Sequence, residues 1–372
     1  MSDDLPIFFA GGGTGGHLYP GISVAEALVR HNSRIKPIFL CTRRPIDATI
    51  LEPTGYQFIP QPIVPPVRTV GGLLKFWKGW RETQDQVKKL IRENRPAAVL
   101  GLGGYAAGVA VKLAALKKIP TAILNPDVIP GKANLYLMQY VKAVCCQFEA
   151  TRAHTPSSHH SKLVITGCPI RDVFLSPPPR DQAAHRLGLD PILHTLTITG
   201  ASQGSLTVND AALETLKDVK LQGWQILHLA GKDHAASVGQ RYRELNIPAH
   251  VIDFTPAMED VWAVTDLTIS RAGGSTCAEL TALGIPSILM PYPYHKDKHQ
   301  KYNGQVLQDA GAAVLMDDKM DGPKNAARLK PLLEPLLYDA TRRQGMATAA
   351  KQLGKLDAAD QVARVILNML PH

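Results

Sequence analysis

Leu5-Pro6-Ile7-Phe8-Phe9-Ala10-Gly11-Gly12-Gly13-Thr14-Gly15-Gly16-His17 decides how the rest of the chain is read. A short apolar run ends in five glycines within six positions, and a helical pattern then occupies residues 21–31. Short apolar runs of this kind suit buried strands. Glycine admits positive φ and lets a ligand approach bare backbone. A helix that starts just beyond presents unpaired N–H groups and the positive end of its dipole, which suits a phosphate. The spacing Gly11-x-Gly13-x-x-Gly16 formally matches a dinucleotide fingerprint. A tight strand-to-helix turn without a ligand would need fewer glycines.

The same strand–turn–helix unit recurs outward from this point. Strands are expected at 7–10, 37–41, 97–101, 121–124 and 141–145, with helices at 21–31, 76–93 and 106–117. The stiff segment Ser176-Pro177-Pro178-Pro179-Arg180 reads as a linker, after which strands are expected at 195–199, 225–229, 267–270 and 287–290. Residues 323–370 read as mainly helical. Strands alternating with helices imply βαβ units and parallel sheets. The chain therefore reads as two doubly wound α/β halves, residues 1–175 and 176–355.

The 372 residues fit about two domains, with 45% apolar and 20% charged residues, as in a soluble globular protein. Lys and Arg number 41 against 32 Asp and Glu, and the net charge of +9 favours anionic partners. The five cysteines, an odd number without C-x-x-C spacing, argue against a disulfide framework or a zinc site and for a reducing compartment. Acidic residues precede the first apolar run, the reverse of a secretory signal, and no stretch approaches the roughly 18 apolar residues of a membrane span. A cytoplasmic protein is expected. The basic C-terminal helices lack interleaved aromatics, so no nucleic-acid partner is expected.

Three further small-residue turns follow expected strands. They are Gly101-Leu102-Gly103-Gly104-Tyr105, Gly200-Ala201-Ser202-Gln203-Gly204, and Arg271-Ala272-Gly273-Gly274-Ser275. In open parallel sheets, ligands bind beyond the carboxyl ends of the strands. His17, on the first loop, is a candidate base or hydrogen-bond donor. Glu279, one helical turn after Ser275, could accept two hydrogen bonds from a ribose diol or simply favour the helix dipole. Cys41-Thr42-Arg43-Arg44 follows the second strand, where an NAD enzyme would want an acid, so an NADP-dependent oxidoreductase is a rival reading.

Taken together, these motifs resemble the MurG family. Gly11 to Pro20, Gly101 to Tyr105, Thr166-Gly167-Cys168-Pro169-Ile170-Arg171, Gly200 to Gly204, Arg271 to Glu279 and His295-Lys296-Asp297-Lys298-His299-Gln300 match its segments in order. The resemblance implies a GT-B fold, two Rossmann-like domains facing a cleft, with residues 356–372 forming a helix that returns to the first. It implies an inverting transfer of N-acetylglucosamine from UDP-GlcNAc to the C4 hydroxyl of undecaprenyl-diphospho-muramyl-pentapeptide. That step makes a β-1,4 bond in peptidoglycan synthesis. It implies donor contacts from Phe254, Thr255 and Met258 at the uracil and Glu279 at the ribose. Arg171, Ser202, Arg271, Gly274 and Ser275 would surround the diphosphate, and His299 and Gln300 would meet the sugar. Thr14, Gly15, Gly16 and Asn125 would reach the donor sugar, and the acceptor diphosphate would lie on Gly13, Gly103, Gly104 and Tyr105. No metal and no cofactor are expected.

One segment departs from the family. Where the family carries H-E-Q-N, this chain reads Leu124-Asn125-Pro126-Asp127, so Asn125 replaces a glutamate. An amide cannot act as a base, and His17 and Asp127 are therefore the expected catalytic pair. The departure keeps two alternatives open: a GT-B transferase with another lipid acceptor, and a non-catalytic UDP-sugar-binding protein. Finally, Leu73-Leu74-Lys75-Phe76-Trp77-Lys78-Gly79-Trp80-Arg81 mixes apolar, aromatic and basic residues. It reads either as an interfacial segment on the anionic cytoplasmic face of the inner membrane or as ordinary packing on the sheet.

Overall fold

In the computed structural model, described for residues 4–67, 69–200 and 204–370, the chain forms two compact units. The first comprises residues 1–171 and 355–372, the second 172–354. The proline-rich stretch from Ser176 thus lies inside the second unit, where Arg180 opens a helix and donates to Asp266 at 2.8 Å.

The first unit runs β1 (Leu5–Gly11), α1 (Gly15–His31), β2 (Ile35–Cys41), α2 (Pro45–Leu51), β3 (Gln57–Pro60), α3 (Val70–Asn94), β4 (Ala98–Gly103), α4 (Ala107–Leu116), β5 (Thr121–Asn125), α5 (Lys132–Leu137), β6 (Ala143–Cys146) and β7 (Leu163–Ile165). Its seven strands are parallel, in the order β3-β2-β1-β4-β5-β6-β7. Helices cover both faces, so successive residues of β1 enter different cores. Ile7 and Phe9 pack with Leu18, Leu28 and Leu100, whereas Phe8 and Ala10 pack with Val87, Val111 and Ile123.

The second unit runs α6 (Arg180–Leu187), β8 (His194–Thr199), α7 (Leu206–Leu216), β9 (Trp224–Leu229), α8 (Ala235–Glu244), β10 (Ala249–Ile252), α9 (Met258–Val264), β11 (Leu267–Ser270), α10 (Gly274–Leu283), β12 (Ser287–Leu289), α11 (His299–Asp309), β13 (Ala313–Leu315), α12 (Gly322–Tyr338) and α13 (Ala340–Leu353). Its six strands are parallel in the order β10-β9-β8-β11-β12-β13. The last helix, α14 (Ala358–Leu367), belongs to the first unit, where Val362, Ala363 and Ile366 join the core beside α1. His31 and Asp360 tie the two helices at 3.0 Å.

In both sheets the chain order reverses between the first strand and the strand that follows the first three. These switch points, between β1 and β4 and between β8 and β11, are where an open α/β sheet leaves a crevice for ligands. All five cysteines are buried, and none forms a disulfide.

Candidate active site

In the first unit, two glycine turns meet at the switch point. β1 and β4 pair in register up to Ala10 and Gly101, then shift so that Gly11 faces Gly103. Leu102 is squeezed against Gly11, where a Cβ would sit 2.7 Å from that of Leu102. His17 rises from the first turn of α1 over the second glycine turn. A Cβ on Gly103 or Gly104 would come within 3.2 Å of its ring, and both glycines have positive φ, 105° and 71°. His17 Nδ1 lies 3.1 Å from the Gly12 carbonyl oxygen and 3.3 Å from Thr14 Oγ1. A carbonyl can only accept, so Nδ1 carries the proton and the neutral ring presents a lone pair on Nε2. The N-terminus of α1 has no side-chain cap and no acid in its first turn.

Gly13, expected at the acceptor diphosphate, has both of its backbone polar groups engaged within the loop. Its amide donates to the Asp47 carboxylate at 2.7 and 3.0 Å, and its carbonyl accepts from Arg44 Nη1 at 3.1 Å. An N–H committed to a buried carboxylate is not offered to a phosphate. Asp47, on α2, is fully buried and also accepts from the Thr42 amide and hydroxyl at 2.8 and 2.7 Å. A Cβ on Gly12 would collide with Asp47. The glycine run is thus moulded around an internal anion. Arg44, placed by the sequence for a 2′-phosphate, is engaged in the same scaffold.

The β5–α5 segment is also locked from within. Asn125 is buried; its Nδ2 donates to the Asp127 carbonyl at 2.7 Å and its Oδ1 accepts from Asn134 at 3.1 Å. Both ends of the amide, expected at the donor sugar, therefore shape the loop. Asp127 is half-buried on that loop. Gly16, Asn125 and Cys168 line one small cavity, which brings the first loop, the β5 loop and the 166–171 segment together. Arg171, expected at the donor diphosphate, belongs to the first unit, with its guanidinium 5.0 Å from the Tyr19 ring centroid. Tyr105 packs against the core on the α3–α4 face of the sheet.

In the second unit, α10 begins at the end of β11. Its N-cap, Gly273, has no side chain to cap the first turn, and no acid lies in that turn. Gln300, on α11, points its Nε2 to within 4.0 Å of where a Gly273 Cβ would lie, while its Oε1 accepts from the Tyr292 amide at 2.9 Å. Asn303 fixes the same turn by donating to the Ala272 carbonyl at 3.0 Å. One turn into α10, Glu279 Oε2 accepts from Trp262 Nε1 at 2.8 Å. Trp262 lies on α9, which Met258 opens, just after the loop carrying Phe254 and Thr255. Gly274, Ser275, Glu279, Gln300, Met258, Thr255 and Phe254 therefore occupy connected elements. Ser202 lies outside the described residues.

Arg271, expected at the donor diphosphate, lies inside the second unit at the end of β11. It is 4% exposed; its Nη1 donates to Asp318 Oδ2 at 2.9 Å and the Met290 carbonyl at 2.8 Å, and its Nη2 to Ser205 Oγ at 2.6 Å and Thr207 Oγ1 at 2.7 Å. Burial pulls its pKa below the usual arginine value, against the pull of Asp318. Arg271 clamps the start of α7 to the end of β11. Burial alone would raise the pKa of Asp318. Hydrogen bonds from Thr207, Asn325, the Met320 amide and Arg271 outweigh it and hold the carboxyl below the usual aspartate value. Asp47, Trp262, Asn303 and Asp318 carry no motif, and sequence reasoning missed all four.

Residues 7–146 match the glycosyltransferase family 28 N-terminal domain, and residues 195–362 match the family 28 C-terminal domain. The UDP-N-acetylglucosamine--N-acetylmuramyl-(pentapeptide) pyrophosphoryl-undecaprenol N-acetylglucosamine transferase of Halothermothrix orenii is 33% identical over 375 residues, spanning 97% of this chain and 98% of the relative. The protein of that name from Halalkalibacterium halodurans is 32% identical over 369 residues, spanning 97% and 99%. The chain belongs to the MurG family. In fold it is similar to a crystal structure of Acinetobacter baumannii MurG, with a TM-score of 0.75 at 23% identity over 98% of this chain and 99% of that one. A UDP-GlcNAc 2-epimerase from Neisseria meningitidis shares the architecture at a TM-score of 0.68 and 14% identity, over 98% of this chain and all of the other. Each unit is thus one of the two Rossmann-like domains of a GT-B protein. MurG membership leaves the oxidoreductase reading unsupported, in line with the engagement of Arg44 inside the first loop.

Proposed function

We propose that the protein transfers N-acetylglucosamine from UDP-GlcNAc to the C4 hydroxyl of a lipid-diphosphate-linked muramyl-pentapeptide. The observation that carries this reading is the second-unit constellation, where a helix start with a glycine N-cap, a carboxylate held by Trp262 and the Gln300 amide stand on adjoining elements. The α10 N-terminus, with Gly274 and Ser275, takes the donor diphosphate and stabilises the charge that grows on it as the anomeric bond breaks. Glu279 accepts from the ribose hydroxyls in an orientation set by Trp262. Phe254, Thr255 and Met258 border the base, while His299 and Gln300 meet the sugar.

In the first unit, the uncapped start of α1 and the Gly103-Gly104 turn receive the acceptor diphosphate, without the Gly13 amide. His17 Nε2 takes the proton as the C4 oxygen attacks the anomeric carbon; the bond to phosphate breaks and UDP leaves with its electron pair. Asp127 assists as a second acceptor. The test supplies labelled UDP-GlcNAc and the lipid acceptor and follows product and UDP. Wild type is expected to turn over, His17→Ala to lose at least about a hundredfold in kcat, and Glu279→Ala to weaken UDP binding. Binding of UDP-GlcNAc without any transfer would refute the catalytic reading.

The α3 surface supports a place on an anionic membrane. Val70, Leu74 and Trp77 are 80%, 66% and 58% exposed, and Lys75, Lys78 and Arg81 are exposed beside them. Phe76 is half-buried against the core, and the fully buried residues of α3 begin at Gly79. Among the described residues, no helix is long and apolar enough to cross a membrane. Apolar side chains mixed with basic ones hold such a surface at the headgroup level. Leu74→Ser/Trp77→Ser is expected to abolish pelleting with anionic vesicles, and equal pelleting would refute it.

A further inference from the structure

We infer that His295 and His299, oriented by Asp297, form a binding site for a divalent transition-metal ion of the zinc type on the second unit, and that occupying it withdraws His299 from the donor sugar. The second clause rests on the function proposed above; the first does not.

The three side chains place one ligand atom each within 4.8 Å of one another. His295 Nδ1 and His299 Nε2 stand 3.2 Å apart, with ring centroids at 4.4 Å and planes tilted by 31°. Two nitrogens bound at about 2.0–2.1 Å to a tetrahedral zinc lie about 3.3 Å apart, so the pair already has the spacing of two ligands on one ion. The other nitrogen of His299, Nδ1, is 2.8 Å from Asp297 Oδ1. The carboxylate accepts a hydrogen bond from Nδ1–H, which leaves the Nε2 lone pair facing His295. This carboxylate–histidine relay fixes the tautomer and raises the basicity of metal-binding histidines.

The backbone builds the turn that makes this possible. The Lys298 amide donates to the His295 carbonyl at 3.1 Å, and Lys298 takes φ 51° as it starts α11. A non-glycine residue held in that region carries strain that the surrounding structure must repay. His295 and Asp297 are exposed, so water can complete the coordination. Lys296 and Lys298, also exposed, repel a cation and place the expected affinity in the micromolar rather than the nanomolar range.

The test titrates Zn2+ into the intact protein by calorimetry without either substrate, and records the visible spectrum with Co2+ in its place. One micromolar site is expected, with His295→Ala weakening it at least tenfold and Asp297→Asn about tenfold. Absence of a site, or one retained in His295→Ala, overturns the proposal whatever the transfer assay shows. In the transfer assay, micromolar Zn2+ is expected to slow wild type and spare His295→Ala, and a chelator is expected to restore the rate. Equal inhibition of both proteins would overturn the link between the metal and the donor sugar.

Discussion

Replacing Asp47 with asparagine keeps the size of the side chain and removes half of its accepting capacity. In the native loop, Oδ1 accepts from the Gly13 amide, while Oδ2 faces the Gly13 amide, the Thr42 amide and the Thr42 hydroxyl. An amide nitrogen at the Oδ2 position would confront those donors with another donor. The Thr42 hydroxyl can rotate to accept, but the Thr42 N–H cannot. One charge-assisted bond is lost and one buried N–H goes unpaired, each worth about 1–3 kcal/mol, so about 3 kcal/mol of destabilisation is expected. For a unit of this size that lowers the melting temperature by about 6–12 °C. The same loop carries the Gly12 carbonyl that holds His17, so kcat is expected to fall about tenfold or more even at temperatures where the variant is folded. Scanning calorimetry and the transfer assay at low temperature read the two effects separately. A melting temperature within one degree of wild type, as judged against the roughly 3 kcal/mol expected, would refute the claim that the first loop is moulded on this carboxylate.

Other outcomes follow from the same geometry. Gly104→Ala puts a Cβ 3.2 Å from the His17 ring at a φ of 71°, so it should cost about 1–2 kcal/mol in backbone strain alone and lower turnover, measured by urea unfolding and transfer rate. Trp262→Phe removes the donor that fixes Glu279, and calorimetry should show UDP affinity reduced by roughly 2–12-fold with the fold intact. Asp318 is held below its ordinary pKa in the folded protein, so its contribution is complete above the unfolded value near 3.9 and is lost as pH falls through the folded value. Acid unfolding of the second unit should therefore steepen below about pH 4, and Asp318→Asn should flatten that dependence while lowering stability at neutral pH.

Among the central strands, β1, β2 and β5 were legible as short apolar runs, and β8, β9 and β11 as apolar residues interleaved with Thr, Ser, Gln or His in largely buried segments. β1, β2, β5, β8, β9 and β11 fall within two residues of expectation. β3, β7, β10 and β13 were not expected. All four lie at a sheet edge; β3 and β10 contain no fully buried residue, so neither run nor alternation marks them. α1 begins at Gly15 rather than 21 because Pro20 and two glycines mask its first turn in the sequence. At the site, the residues that end strands or open helices were visible through their glycines. What was hidden is the support behind them. Asp47 lies 34 positions from Gly13, Trp262 is 17 from Glu279, and Asp318 is 47 from Arg271. No local pattern records such pairings, and for Gly13 and Arg271 the pairing changes what the residue offers to a ligand.

The place of α14 bears on how the protein is made. Val362, Ala363 and Ile366 complete a core whose first members are Ile7 and Phe9, and the whole second unit is inserted between them. Domains emerging from the ribosome ordinarily fold from the N-terminus onward. Here that order is expected to invert, because the first unit, although synthesised earlier, lacks residues 355–372 of its own core until the second unit has been made. A nascent chain stalled before Lys355 therefore carries one finished unit and one exposed core, which makes the first unit the natural client of a chaperone during synthesis.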